Sequence, residues 1–179
     1  MATPTALPAS FTAGDVLTAA NMNLLRGAFR ILTVNSVTKT DTFSTTSATL
    51  VDVTGLSLTI TPQSATSKFI LFASVNFGNN GPDRTSFAFS GGNSSGSLGA
   101  TAGSRVSVTS EGSTASGSAI GNASMLYLDS PATASAVTYK VQMRSYGGGT
   151  QYVNRSYTDT DNSNFSRASS TLTILEVSA

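Results

Sequence analysis

Hydrophobic and polar positions alternate with a period of two over most of the chain after Ile31. The alternation is sharpest in residues 136–146, where one set of apolar side chains is predicted to face a core: Val137, Tyr139, Val141 and Met143. The residues between them are predicted to face solvent. The pattern predicts about ten strands: 31–40, 42–53, 56–61, 68–77, 85–90, 105–109, 124–128, 136–146, 150–157 and 170–178.

Short strands at regular spacing, with no helical pattern between them, are typical of a β-sandwich or a jelly roll. Residues 68–77 differ from the other strands because apolar side chains occupy both of their faces at the start. Such a strand is predicted to be covered by the core on one side and by a neighbouring subunit or a loop on the other. Residues 91–103 are rich in Ser and Gly and are predicted to form a long exposed loop.

The first thirty residues have a different pattern. Residues 1–10 contain two prolines and no charge, and they are predicted to form an extended arm. A short helix is predicted from about Ala19, capped by Asp15 or Thr18, with an apolar stripe of Met22, Leu25 and Phe29. A helix of two to three turns is unstable alone in water, so it must dock on its own domain, on sister copies or on a host structure. The chain therefore divides into an anchor, 1–30, and a β domain, 31–179.

The composition favours strands and excludes several partners. The chain contains 29 Ser and 26 Thr, whereas charged residues make up 11%, well below the roughly 25% of typical domains. Its ten Lys and Arg residues are scattered and the net charge is +1, so nucleic acid is not expected as a partner. No apolar run is long enough to span a membrane, and the opening lacks the features of a signal peptide. We expect synthesis and assembly in the cytoplasm.

The residues offer little for catalysis, and we expect neither an enzyme nor a cofactor. The chain has no His, which removes the usual general base and the commonest metal ligand, and no Cys. Neither a GxSxG nor a GxxxxGK[ST] motif occurs. One weak metal candidate is Asp159, Asp161 and Ser163, spaced like the start of a calcium loop. Asn164 and Ser170 stand where such a loop has Gly and Glu, so a polar hairpin loop is the alternative.

Tyr146, Tyr152 and Tyr157 flank a triple glycine and the strand that follows it. Exposed aromatic rings at a loop tip are candidates for stacking on a receptor sugar. Packing between neighbouring strands is the alternative interpretation.

Two stretches resemble known virion proteins. The segment FTAGDVLTAANMNLL resembles a recurrent opening of phage tail-fibre and other virion structural proteins; the matching residues are Phe11, Gly14, Asp15, Val16, Leu17, Thr18, Ala19 and Asn23. The β domain is similar to a domain of cyanophage and marine-phage virion proteins, at Thr54–Leu56, Ser64–Lys68 and Leu172–Glu176. The closing strand also resembles those of trimeric jelly rolls of the C1q and tumour-necrosis-factor type.

The resemblance implies a non-enzymatic structural protein on the exterior of a bacteriophage particle. We expect a homotrimeric, fibre-like appendage that contacts other tail or capsid proteins, with a host surface glycan as a further candidate partner. The expected assembly residues are Phe11, Val16, Leu17, Met22, Leu25 and Phe29. A capsid decoration (cement) protein that stabilises the phage head is the main alternative, and a secreted lectin-like or adhesive module is the third.

Overall fold

The computed structural model of the chain describes residues 16, 18–19, 31–81 and 83–178. The predicted arm lies outside this range, as does the predicted helix apart from Thr18 and Ala19 at its start. Five of the expected assembly residues also lie outside it: Phe11, Leu17, Met22, Leu25 and Phe29. The sixth, Val16, is described and is 80% exposed.

The described residues form an all-β structure, as predicted, with ten strands and one short 3₁₀ helix at Ser94–Ser97. The strands are β1 (Ile31–Lys39), β2 (Phe43–Thr45), β3 (Val51–Ile60), β4 (Lys68–Gly78), β5 (Thr85–Ser90), β6 (Ser110–Gly112), β7 (Gly121–Asp129), β8 (Val137–Ser145), β9 (Gln151–Val153) and β10 (Ser170–Val177).

The strands form two antiparallel sheets. In sheet A, β4 is central and pairs with β7 on one side and with β10 and then β9 on the other. Phe77 shows this arrangement directly, because it pairs with both Gly121 of β7 and Val153 of β9. β1 lies beyond β10, and β2 lies beyond β9. Sheet B has the order β3-β8-β5-β6.

One hydrophobic core lies between the inner faces of the two sheets. Phe69 of sheet A packs on Tyr139 of sheet B with ring centroids 5.8 Å apart, and Phe77 packs on Phe87 at 5.4 Å. Burial of one such side chain contributes about 1.5–3 kcal/mol. The prediction that alternate residues of 136–146 face inward is confirmed, since Tyr139, Val141 and Met143 are fully buried and Val137 packs against the core. The buried hydrophobic residues among those described all lie between Val53 and Ile174.

Three local predictions were wrong. Residues 46–50 do not belong to a strand, so the predicted strand 42–53 is divided into β2 and the start of β3. Thr54-Gly55 does not separate two strands, because β3 continues through it with a register shift between Asp52 and Ser57. Gly55 has a φ of +90°, a conformation that other residues rarely adopt, so the glycine permits a β-bulge where it was expected to end a strand. Residues 105–109 do not form a strand, and the edge of sheet B is instead β6.

Buried amide side chains hold the loops at one end of the sheets. Asn79, just after β4, donates to the Thr85 hydroxyl at 3.2 Å and accepts from the Thr114 backbone N–H at 3.0 Å. Gln151 of β9 accepts from the same Thr85 hydroxyl at 2.5 Å and donates to the Ser145 hydroxyl at 3.3 Å. These bonds join both sheets, because Thr85 and Ser145 belong to sheet B.

Candidate assembly surface and distal loop cluster

An unbroken row of apolar side chains crosses the outer face of sheet A. The strand registers pair Val34 with Leu175, Leu175 with Ile70, and Ile70 with Leu128, so the row runs across β1, β10, β4 and β7. These residues alternate along their strands with fully buried core residues such as Leu71 and Ile174, which places them on the opposite face.

A second row lies beside the first. Phe72 of β4 pairs with Leu126 of β7, and these side chains are 43% and 67% exposed. We call the two rows, with Ile31 and Val177 at the adjoining corner, the apolar face. Its members are Ile31, Val34, Ile70, Phe72, Leu126, Leu128, Leu175 and Val177.

Hydroxyl and amide groups cover the rest of this outer face. Ser36 and Thr173 share a hydrogen bond of 2.9 Å, and Asn122 donates to the Ser74 hydroxyl at 3.0 Å. Among the outward-facing residues of the four paired strands, the only charge is that of Lys68 at the corner. The surface is therefore nearly uncharged as well as partly apolar.

The outer face of sheet B has the opposite character. Lys140 forms an ion pair of 2.6 Å with Asp52, and the Gln142 amide donates to the same carboxylate at 2.8 Å. The bond from Lys140, and then that from Gln142, hold the pKa of Asp52 below its ordinary value. The surface of sheet B around Asp52 is thus charge-paired, whereas the outer face of sheet A is not.

The two ends of the domain also differ. β1 begins at Ile31, beside Val177 and Lys68, and we call this the proximal end. The apolar face lies toward it. β4 ends at Gly78, which pairs with Tyr152, and we call this the distal end.

The structure brings Tyr152 and Tyr157 together at the distal end and places Tyr146 in a separate contact. The rings of Tyr152 and Tyr157 meet edge to face with centroids 5.8 Å apart. The Arg155 guanidinium stacks over Tyr152 at 4.1 Å, and that of Arg84 stacks over Tyr146 at 4.0 Å. Arg155 and Arg84 were not singled out in the sequence, because the register that brings each one over a ring is not a local property.

The loop after β9 forms a polar cleft of about 190 Å³ at the distal end, lined by residues 159–162 and 165–167. It contains the candidate calcium ligands Asp159 and Asp161. The Asp159 carboxylate lies 2.6 Å from the Arg167 guanidinium and 3.4 Å from that of Arg155. Two neighbouring cations repel a third, and the described residues contain no group of three or more acidic side chains able to hold a metal. The arrangement therefore favours a loop closed by ion pairs.

The apolar face was only partly visible in the sequence. The apolar start of β4 indicated an extra face to be covered, and it contributes Ile70 and Phe72. Leu126 and Leu128 were missed, although Met125–Leu128 is a run of four apolar residues that carries the same signal. Of the expected assembly residues only Val16 is described, and the other five lie outside the described residues.

Neither a protein-family model nor a curated protein matches this chain. Within the residues described above, no helix has the length and apolar character needed to cross a membrane.

Proposed function

We propose that the protein is a non-enzymatic structural component of a bacteriophage particle, displayed on its exterior as a homotrimeric, fibre-like appendage. Residues 1–30 attach it to other tail or capsid proteins. The two antiparallel sheets form a jelly-roll-like sandwich that holds the distal loops away from the attachment point.

The observation that carries this proposal is the opposite placement of the chain's entry point and its aromatic loops. Ile31 receives the N-terminal segment at the proximal end. The Tyr152–Tyr157 pair lies at the distal end, where Tyr152 pairs with Gly78. A module attached through its first residues therefore points these rings away from the particle, which suits an appendage that meets a host surface. The sequence resemblance of residues 11–23 to virion proteins supports the same function.

The attachment is tested by particle incorporation. Phage carrying the chain without residues 1–30 is purified on a density gradient, and the protein is quantified in the particles by mass spectrometry. The buried core lies between Val53 and Ile174, so the deletion leaves it intact. A second variant, Leu25→Asp, changes the predicted stripe alone. We expect both variant proteins to be absent from particles but soluble in the lysate. Incorporation at the wild-type level would refute the assignment of residues 1–30 as the anchor.

A capsid decoration protein is the second candidate, and the breadth of the apolar face favours it. A nearly uncharged surface that spans four strands also suits contact with a flat shell. Copy number separates the two functions: hundreds of copies per particle indicate decoration, whereas a few dozen or fewer indicate an appendage.

Contact with a host glycan is tested at the Tyr152–Tyr157 pair. Tyr157 stacks edge to face on Tyr152 and is 36% exposed, so its outer surface can receive a sugar ring. We expect Tyr157→Ala phage to adsorb to host cells more slowly than wild type, with particle composition unchanged. Val106→Ala is the control, because Val106 is an exposed residue outside this cluster. Equal adsorption of the Tyr157 variant and wild type would exclude a role in host contact.

A further inference from the structure

We infer that the apolar face of sheet A, together with the free edge of β7, is the surface through which copies of this chain bind one another. This inference deepens the trimeric part of the proposed function and rests on it only for the number of copies.

Exposure of the apolar face in the single chain is the first argument. Leu126 and Leu128 are 67% and 52% exposed and stand next to each other on the outer face of one strand. Through Phe72 and Ile70 they continue into the row that ends at Val34. A contiguous apolar surface with a polar rim marks a binding site, whereas isolated exposed apolar residues do not.

The near absence of charge on the outer face of sheet A indicates which partner binds there. The outward-facing side chains of β1, β10, β4 and β7 include a single charged residue, Lys68, at the corner. A strongly charged partner would find no complement here. A second copy of the same surface meets it without repulsion between like charges, and the hydroxyls and amides around Ser74 and Asn122 can form its polar rim.

The area is sufficient for a specific contact. With strands about 4.8 Å apart and about 3.3 Å per residue, the outer face of four strands from Lys68 to Asn76 measures roughly 19 by 30 Å. Around a threefold axis each copy of this face contacts parts of its two neighbours, and full coverage of three such faces removes roughly 1,700 Å² in total, comparable with the surface buried in a standard specific interface.

The edge of sheet A extends this surface. β7 pairs with β4 alone among the described strands, so the backbone groups along its other edge have no strand partner within sheet A. Natural edge strands are commonly protected by Lys, Pro or a bulge. β7 has nine residues, contains neither Lys nor Pro, and pairs with β4 in unbroken register. An edge of this kind, next to an apolar face, is suited to an interface in which it becomes covered.

The N-terminal segment of the same chain is the alternative partner for the apolar face. It enters at β1, on the side of sheet A opposite β7, so Leu126 and Leu128 lie three strands from the tether. Val16, a described residue of that segment, is 80% exposed. These two observations favour other copies of the chain.

The test compares matched substitutions in the full chain. Light scattering and sedimentation equilibrium at micromolar concentration give the mass of wild type, of the double variant Leu126→Glu/Leu128→Glu, and of Val106→Glu. Val106 is the control because it is 53% exposed and lies outside the apolar face. We expect wild type and the control at three times the 18.2 kDa of one chain, and the double variant at 18.2 kDa with an unchanged circular-dichroism spectrum. Its dissociation constant should rise at least about 30-fold.

A wild-type monomer, or a double variant that keeps the wild-type mass, would overturn the inference. A second measurement covers the case in which the double variant does not fold. The chain has no cysteine, so Leu126→Cys and Val106→Cys each introduce a single thiol. In the oligomer the thiol at position 126 should react with a maleimide at least about 10-fold more slowly than that at 106. Equal reaction rates at positions 126 and 106 would contradict the inference. Slow reaction at position 126 in a monomer would also contradict it, because the N-terminal segment of the same chain would then cover the apolar face.

These outcomes differ from those of the particle experiments. An oligomer that requires Leu126 and Leu128 but never enters a phage particle would uphold this interface and refute the proposed function. A double variant that keeps the wild-type mass and still enters particles would refute the interface alone.

Discussion

The hydroxyl of Tyr139 donates a hydrogen bond of 2.5 Å to Oδ2 of Asp129, and neither residue is exposed to solvent. The bond joins β8 of sheet B to the end of β7 in sheet A. The same carboxylate accepts from the backbone N–H of Asn93 at 3.2 Å and from that of Ser130 at 2.8 Å. Asp129 therefore ties both sheets to the start of the Ser/Gly-rich loop, residues 91–103, which was expected to be exposed.

Removal of the Tyr139 hydroxyl should destabilise the fold. Tyr139→Phe leaves the buried Asp129 carboxylate without its shortest donor, and we expect the free energy of unfolding to fall by about 1–3 kcal/mol in urea titrations. Tyr127→Phe is the matched control. Its hydroxyl makes a longer bond, 3.3 Å to the Asn93 carbonyl, in a more exposed position, and a loss below about 1 kcal/mol is expected. Equal losses in the two variants would show that Asp129 does not depend on this bond.

Alkaline pH should weaken the fold through the same residue. Burial, and then the bond to Asp129, raise the pKa of Tyr139 far above its ordinary value of about 10. Above about pH 10 the unfolded chain loses this proton while the folded chain keeps it, so stability decreases with rising pH by up to about 1.4 kcal/mol per pH unit. Below that pH both states are neutral and the contribution is complete. In Tyr139→Phe the slope of stability between pH 10 and 11 should be shallower; an unchanged slope would contradict this assignment.

Gly92 should tolerate no side chain. It has a φ of +53°, and a Cβ atom there would lie 2.7 Å from the Tyr139 hydroxyl oxygen and in direct collision with Asp129 Oδ2. Gly92→Ala combines backbone strain with a clash against a buried network, and we expect a loss of about 2–4 kcal/mol by thermal or urea unfolding. Gly103→Ala isolates the backbone effect, because Gly103 has a φ of +61° but no atom near the added methyl group. That variant should lose about 1–2 kcal/mol. A loss at Gly92 no larger than at Gly103 would argue against the clash.

The fold should be sensitive to loss of the Asn154 amide at the distal end. Its side chain is fully buried, its φ is +66°, and it donates to the carbonyl groups of Lys39 and Asp41 at 2.8 and 2.9 Å. It also accepts from the Ser170 hydroxyl at 2.6 Å, so it ties the end of β1 to the start of β10. Asn154→Ala leaves the carbonyl groups of Lys39 and Asp41 and the Ser170 hydroxyl without this hydrogen-bond partner. We expect the free energy of unfolding to fall by about 2–4 kcal/mol.

The control for Asn154 is Asn162→Ala. Asn162 also makes a hydrogen bond, accepting from the Asn164 backbone N–H at 2.9 Å, but in an exposed loop where water replaces the lost partner. We expect a change within about 0.5 kcal/mol. If the two asparagine variants lose the same free energy, burial is not the reason that Asn154 matters.

The alternation of side chains was sufficient to predict most strands. Val137, Tyr139, Val141 and Met143 face the core as expected, because a period of two depends only on the backbone of the strand itself. The same local rule does not distinguish a strand break from a bulge. Gly55 was assigned to a break, but pairing with β8 continues on both sides of it.

The candidate surfaces were harder to predict than the strands. The apolar start of β4 was visible, and so were the tyrosines at 146, 152 and 157. Which of these residues would meet was not visible, because Phe72 and Leu126 are separated by long stretches of chain and become neighbours only through the register of β4 with β7. The contact of Tyr152 with Tyr157 likewise depends on how the loop after β9 folds back.

The sequence by itself determined that the β domain is built of strands, which side of residues 136–146 faces inward, and that the chain contains neither His nor Cys. Only the tertiary structure decided that β7 is an edge, that one outer face is apolar from Val34 to Leu128, and that Asp129 is buried beneath a glycine-rich loop. The physical reason is that side-chain alternation is a property of a single strand, whereas sheet order and register arise from pairing between segments far apart in the chain.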